Sequence, residues 1–359
     1  MSNRFLFSVR SLITCVIAVV SLPQTGHAQI GGTTSYDFLN LVTSARIGAL
    51  GGHYLAINGD HDLSLAAVNP SLLTKDLHRN LVLDYVNYFS DVNFGGVDYA
   101  HHVEKVGTFS GRLKYVNYGQ FTETNEQGIE IGQFRASDLL FQVGVSRKMD
   151  SLFTVGMHLG LVYSALAQYT STALTTDWAV TYAKPGGSFA ASLMVLNLGA
   201  PLSSYVEGYR EKLPLEIRLG MSKKLAHLPL RYIITLTHLE KANLNYENSN
   251  QPTILVDPLT GEDIKPKKMI GDKIMRHVGV GAEFSPSDNF HVRFGYDYRR
   301  RQELKVATKT GTIGFSWGFG FKVSKFHVNY GRASYHLAGA SNHFSITTGL
   351  SEFLSKAND

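Results

Sequence analysis

The sequence predicts an all-β protein: an antiparallel transmembrane β-barrel of about 14 strands, closed on itself. Three observations carry that expectation. From Asn80 onward apolar and polar residues alternate, and the connections between the alternating segments are short and long in turn. Beyond the first 28 residues, no stretch reaches the ~18 consecutive apolar residues that a membrane-crossing helix needs.

The alternation is clearest in three places. Over 152–163, Phe153, Val155, Met157, Leu159, Leu161 and Tyr163 interleave with Thr154, Gly156, His158 and Gly160. Over 290–299, Phe290, Val292, Phe294, Tyr296 and Tyr298 share one face, while His291, Arg293, Gly295, Asp297 and Arg299 share the other. Residues 312–321 set Ile313, Phe315, Trp317, Phe319 and Phe321 against Thr312, Gly314, Ser316, Gly318 and Gly320. Successive side chains of a strand point to opposite faces, so each segment has one apolar, aromatic face and one that is small, charged or hydroxylic.

Fourteen such segments begin near residues 80, 92, 107, 138, 152, 173, 188, 216, 229, 277, 290, 311, 325 and 342. An even count is what a single-chain antiparallel membrane barrel requires. The first two segments are the least regular, because Val82 and Val86 fall on the polar face of one and Gly95-Gly96 interrupts the other.

Connections after the even-numbered segments are tight: Glu104-Lys105, Lys148-Met149-Asp150, Lys184-Pro185-Gly186-Gly187, Ala226-His227-Leu228, Pro286-Ser287-Asp288 and Val323-Ser324. Those after odd-numbered segments are mostly long: 118–137, 197–215, 240–276 and 331–341. Tight turns at one rim and long loops at the other are the pattern of an outer-membrane barrel. The expected barrel occupies 80–359, and its longest loop, 240–276, is turn-rich and charged.

The polar face decides which way the wall points. A closed sheet of about 14 strands has an interior too wide for its own side chains to fill. Arg218, Glu283, Arg293, Asp297 and His158 are therefore expected to face the lumen, with the greasy face toward lipid. Aromatics near strand ends, among them Tyr85, Tyr163, Tyr182, Tyr298, Phe321 and Tyr330, suit the belts where lipid meets water.

Residues 1–28 read as a cleavable export signal, with Arg4 and Arg10, an apolar run from Leu12 to Leu22, and Gly26-His27-Ala28 before Gln29. The only cysteine, Cys15, lies inside it. Thr14 and the apolar run behind Cys15 do not fit a lipid-anchor pattern, and no disulfide is available to residues 29–359. A formal net charge of +5 spread along the chain, without a long basic tract, argues against nucleic-acid binding. The expected location is the outer membrane of a Gram-negative bacterium.

Few motifs point to chemistry. Gly314-Phe315-Ser316-Trp317-Gly318 matches G-x-S-x-G, but it lies mid-strand rather than on a strand-to-helix elbow, so Ser316 is read as a polar-face residue and not as a nucleophile. Asn58, Asp60, Asp62 and Ser64 have the early spacing of a calcium loop but lack its Gly and its distal Glu, which favours turn bracing. His101 and His102 point to opposite faces of a strand and so do not share a metal. Arg299-Arg300-Arg301 opens a connection on the long-loop side, where it is either an ordinary solvated loop or a contact for anionic lipopolysaccharide or a partner protein. No catalytic residue, cofactor or metal is expected.

The segment before the barrel, 29–79, does not alternate. Its stretch "YDFLNLVTSARIGALGGHYLAINGDHDLSLAAVNPSLL", residues 36–73, resembles the hatch of FadL-type outer-membrane proteins, and Phe38-Leu39-Asn40-Leu41 followed by Ser44-Ala45-Arg46 most resembles the PorQ branch, a component of the type IX secretion system. Where the family commonly has Asn-Pro-Ala, this chain has Asn69-Pro70-Ser71, and His61 lies between the two acids.

The resemblance implies a non-enzymatic scaffold in a surface complex that processes secreted cargo and attaches it to lipopolysaccharide. Its partners would be PorZ-like, PorU-like and PorV-like proteins and outer-membrane lipid. The alternative is a FadL-type transporter of hydrophobic compounds, with substrate leaving sideways at Gly95-Gly96 or a bulge. In either case the N-terminal hatch (plug) segment is expected to lie in the lumen, with Gly51 and Gly52 letting it turn, Arg46, Asp60 and Asp62 pairing with luminal charges, and Asn69-Pro70 ending it.

Overall fold

The computed structural model describes residues 34–53, 56, 62–244, 255–256, 263–264, 270–304, 311–336 and 339–354. Contacts divide the chain into two units, Thr33–Leu239 with Met269–Asp359, and Met1–Gly32 with Glu240–Lys268. In the second of these, the described secondary structure is a two-stranded pair, β10 (Leu255–Val256) and β11 (Asp263–Ile264).

The first unit holds the alternating segments, and they form one closed antiparallel sheet. Its strands are β1 (Asn80–Asn87), β2 (Asn93–Val103), β3 (Gly107–Thr124), β4 (Glu130–Lys148), β5 (Phe153–Leu166), β6 (Tyr169–Ala183), β7 (Phe189–Ser203), β8 (Glu216–Lys224) and β9 (Leu230–Leu236), followed by β12 (Val278–Ser287), β13 (Phe290–Asp297), β14 (Phe315–Val323), β15 (Phe326–His336) and β16 (Gly339–Gly349). Each pairs with its sequence neighbour in the barrel, and β1 closes on β16 from Asn80↔Gly349 to Asn87↔Asn342. The structure is a barrel of fourteen strands.

Burial fixes the orientation of the wall. Phe294 is 59% exposed while its neighbour Arg293 is 2% exposed. The same division runs around the sheet, with Leu83, Phe141, Leu161, Trp178, Trp317 and Phe344 outward and Asp84, Gln142, His158, Asp177, Ser316 and His343 inward. An apolar exterior around a polar interior is the arrangement of a membrane barrel. Among the described residues no helix is long and apolar enough to cross a membrane.

Three expectations about the rims are corrected. Residues 118–137 are not a loop: β3 and β4 run on as a hairpin whose turn is confined to 125–129. Residues 331–341 are likewise strand up to His336 and again from Gly339. The outer part of the β3–β4 hairpin extends past β2, whose pairing with β3 stops at Asn117, so both of its faces are wet and its sequence has no reason to alternate. Gly95-Gly96 does not break the wall, since both glycines sit in an unbroken ladder opposite Tyr85 and Asp84. Register shifts lie elsewhere, including two between β6 and β7. Much of the 240–276 loop lies outside the described residues.

The described residues between 34 and 79 pack against the inward face of the barrel. A helix over Ala45–Ala49 packs on β13 to β16, a helix over Leu63–Ala66 on β1 and β2, and a 3-10 turn over Pro70–Leu72 on β4 to β6. The helices are too short to hold by propensity alone, so packing and capping supply their stability. Ser44 caps the first, accepting from the Ile47 N–H, and Asp62 caps the second, accepting from the Ser64 N–H at 3.0 Å.

Candidate functional site

The site is the contact between this inner segment and the wall. Its irregular backbone leaves carbonyls that no strand can satisfy, and a carbonyl buried without a donor is costly. The inward face of the wall supplies the donors. The ammonium of Lys114, fully buried and without an ion-pair partner among the described residues, donates to the carbonyls of Phe38 (2.7 Å), Leu39 (3.3 Å) and Leu41 (2.6 Å). Arg112 donates to Ala67 O at 2.6 Å, Ser316 to Ala49 O at 2.9 Å, Arg300 to Gly51 O at 3.2 Å, and Ser146 to Leu73 O.

A charge cluster lies at the centre. The guanidinium of Arg46 donates through Nη2 to Glu283 Oε1 (2.7 Å) and through Nε to Glu283 Oε2 (3.0 Å), and it pairs with Asp62 at 3.2 Å. On the wall, Arg293 donates to the same Glu283 Oε2 at 2.7 Å and to Asn329 Oδ1 at 2.7 Å. One buried carboxylate thus serves two arginines, one from the inner segment and one from the barrel. Nearby, His53 meets Asp297 at 2.7 Å.

The expected residues come together unevenly. Arg46 meets the luminal Glu283, whereas Asp62 pairs with Arg46 of its own segment. Gly51 (φ 99°) and Gly52 (φ 89°) form the turn after the first helix in backbone conformations that favour glycine. The wall matches this turn with Gly295, where an added Cβ would overlap the Leu50–Gly51 backbone. Asn69 is fully buried, but Asn69-Pro70 does not end the segment. Asn69 Oδ1 accepts from Ser71 N at 3.1 Å, Pro70 opens the 3-10 turn, and Leu73 and Leu77 beyond it are buried. Asn58 and Asp60 lie outside the described residues, while Asp62 acts as cap and ion-pair partner.

Other readings are sharpened. Arg300 turns inward rather than into solvent, at 8% exposed, while Arg301 is half-buried, donates to Ile313 O at 3.1 Å and lies over the Phe315 ring. Ser316 donates its hydroxyl hydrogen bond to the Ala49 carbonyl, and among the described residues no imidazole or carboxylate accepts from it. His102 bonds Thr108 at 2.9 Å while His101 is exposed. Among the described residues no group of three or more His, Cys, Asp or Glu could hold a metal ion.

Sequence reasoning missed Lys114, Arg112 and Asp84, and it missed the meaning of Val82 and Val86. Val82 packs with Leu63, Ala66, Leu73 and Leu77 of the inner segment, and Val86 lies in a cluster with Tyr36 and Phe38 that also contains Phe94, Val116, Leu140, Val162 and Ala173. The apolar interruptions of the polar face are therefore seats for the inner segment. The signal was visible as irregularity but had no partner to explain it.

Above this cluster, the connection between β7 and β8 is tied to the wall. Tyr205 donates to Ser164, Ser164 to Asp138, and Tyr118 to the other Asp138 oxygen at 2.5 Å. Tyr36 shares a hydrogen bond with Ser171. Burial pushes the phenol pKa values of Tyr36 and Tyr205 up, so both stay protonated.

No protein-family model matches the chain, and no curated protein matches it in sequence. Solved structures of FadL-type barrels align with it. The Pseudomonas putida toluene transporter TodX is 13% identical over 85% of this chain and 96% of its own, with a TM-score of 0.48. A Pseudomonas aeruginosa FadL homologue is 11% identical over 86% and 98%, with a TM-score of 0.45. The CymD monoaromatic hydrocarbon channel is 11% identical over 85% and 95%, with a TM-score of 0.47.

Proposed function

We propose that this chain is an outer-membrane β-barrel whose lumen is kept shut by residues 34–79, and that it acts without catalysis as a scaffold at the cell surface, in a type IX secretion attachment complex. The observation that carries the closed state is the set of wall donors, Lys114, Arg112, Ser316 and Arg300, that satisfy the backbone of the inner segment. Opening the lumen would strand those donors and the carbonyls they serve.

The secretion role draws on the resemblance of residues 36–73 to the PorQ branch. A PorZ-like protein is the expected partner, with PorU-like and PorV-like proteins in the same assembly. The rim with the longer connections supplies contact surface, including the exposed Ile129 and Ile131 at the β3–β4 turn. In a strain lacking the gene, cargo should be made but remain unprocessed or unattached. Normal attachment there would refute the role.

Transport of hydrophobic compounds, the role of the toluene transporter and the hydrocarbon channel, is the second reading. The observation favouring it here is the apolar patch of Phe94, Val116, Leu140 and Val162 inside an otherwise polar lumen, now covered by Tyr36 and Phe38. Uptake of radiolabelled toluene into liposomes holding only this protein separates the two. Uptake above that of empty liposomes supports transport, and its absence supports the scaffold.

A further inference from the structure

The connection between β7 and β8 lines an open pocket of about 610 Å³, within the range of about 300–1,000 Å³ usual for small-molecule sites. Its lining includes Leu202, Ser204, Tyr205, Glu207, Tyr209 and Arg210.

The loop that forms it is braced from below. Tyr205 is anchored through Ser164 to Asp138, and its N–H donates to the carboxylate of Glu211, which is 5% exposed. At the base, Ser171 donates to Ser203 O at 2.6 Å. At the tip, Tyr209 N donates to Val206 O, and Gly208 takes a φ of 84°. The turn leaves Glu207, Tyr209 and Arg210 exposed. Among the described residues Glu207 and Arg210, opposite charges three positions apart, pair neither with each other nor with anything else, although both line the pocket.

We infer that this pocket is a binding site for an acidic saccharide. The ring faces of Tyr205 and Tyr209 suit the apolar face of a sugar, and the Glu207 carboxylate is an acceptor for sugar hydroxyls. The Arg210 guanidinium makes bidentate hydrogen bonds to a carboxylate or phosphate on the sugar. A hydrocarbon would leave both charges unanswered, and a divalent cation would meet a single carboxylate beside a guanidinium. The inference rests on the proposed placement of this rim at the cell surface, where such saccharides occur as lipopolysaccharide headgroups or as free polysaccharide.

Titration calorimetry on the purified full-length chain in detergent tests it. The probes are the delipidated core oligosaccharide of lipopolysaccharide, a soluble uronic-acid oligosaccharide, and uncharged maltohexaose. At least one acidic probe should bind saturably, and more tightly than maltohexaose. Binding by the core oligosaccharide alone identifies the lipid headgroup as the source, and binding by the uronic-acid probe identifies free polysaccharide. Tyr209→Ala should weaken binding tenfold or more, and Arg210→Ala should erase the preference over maltohexaose. Both side chains are exposed on a loop, so neither change threatens the barrel. No saturable binding of either acidic probe, equal binding of maltohexaose, or unchanged affinity in both variants would overturn the inference. These measurements need no cell. The surface placement is read separately, by labelling Lys212→Cys on intact cells with an impermeant maleimide, and a failure there strikes the placement and not the binding.

Discussion

Replacing Arg46 with Ala is the most direct way to loosen the inner segment. Removing one member of a buried ion pair costs about 3–5 kcal/mol when the other charge is left alone. Here it is not left alone, because Arg293 still donates to Glu283 Oε2 at 2.7 Å. The expected cost is therefore lower, about 2–3 kcal/mol, and it falls on the seating of the inner segment rather than on the barrel. At ~1.4 kcal/mol per factor of ten, the unseated population should rise roughly 30- to 150-fold. Amide hydrogen exchange at Ala45–Ala49 in the folded barrel reads that population, with the heat-modifiable mobility of the barrel as the control for folding. Glu283→Gln should act more strongly than Arg46→Ala, since it removes the carboxylate that both arginines share and leaves Asp62 to answer Arg46. An exchange rate in Arg46→Ala within threefold of the parent, or a weaker effect in Glu283→Gln, would refute the account of the cluster as the main clamp.

The remaining predictions probe the same contact without touching its charges. Gly295→Ala should speed exchange at Leu50–Gly52, because the added methyl overlaps that backbone, whereas Gly111→Ala, with nothing within 4 Å of its Cβ, should not. Ser316→Ala removes the hydrogen bond to Ala49 O and should destabilise the seating by about 1 kcal/mol, measured by the same exchange, while changing no hydrolytic activity. Lys114→Met should free residues 36–42, at a cost of about 2–4 kcal/mol for the abandoned carbonyls of Phe38, Leu39 and Leu41, seen as new protease cleavage in that stretch.

Most of the wall was legible in the sequence because a period of two is a local property. The strand starts read at 80, 107, 216 and 290 coincide with those observed, and those at 92, 152, 188, 229, 277 and 325 lie one residue away. The starts that slipped furthest are 138 against Glu130, 173 against Tyr169 and 311 against Phe315; in the first two the strand runs further toward the rim than its alternation does, and in the third it begins later. Toward the rim water wets both faces and nothing forces alternation. The inner segment was legible only in part, because what holds it is long-range. Arg46 and Glu283 are 237 residues apart, and Lys114 finds its three acceptors on a backbone whose course no local pattern encodes.

What the sequence did carry was a mismatch on the wall. A lumen meant only to hold water has no use for Val82, Val86, Phe94, Val116 or Val162 on its polar face, nor for the buried cation of Lys114. Each is accounted for by an irregular chain inside: the apolar residues meet Leu63, Leu77, Tyr36 and Phe38, and the cation meets unpaired carbonyls. The same logic runs from wall to filling in any barrel of this width. Apolar residues out of phase with the strand period, and charges without a partner on neighbouring strands, mark where the lumen is occupied and by what kind of surface.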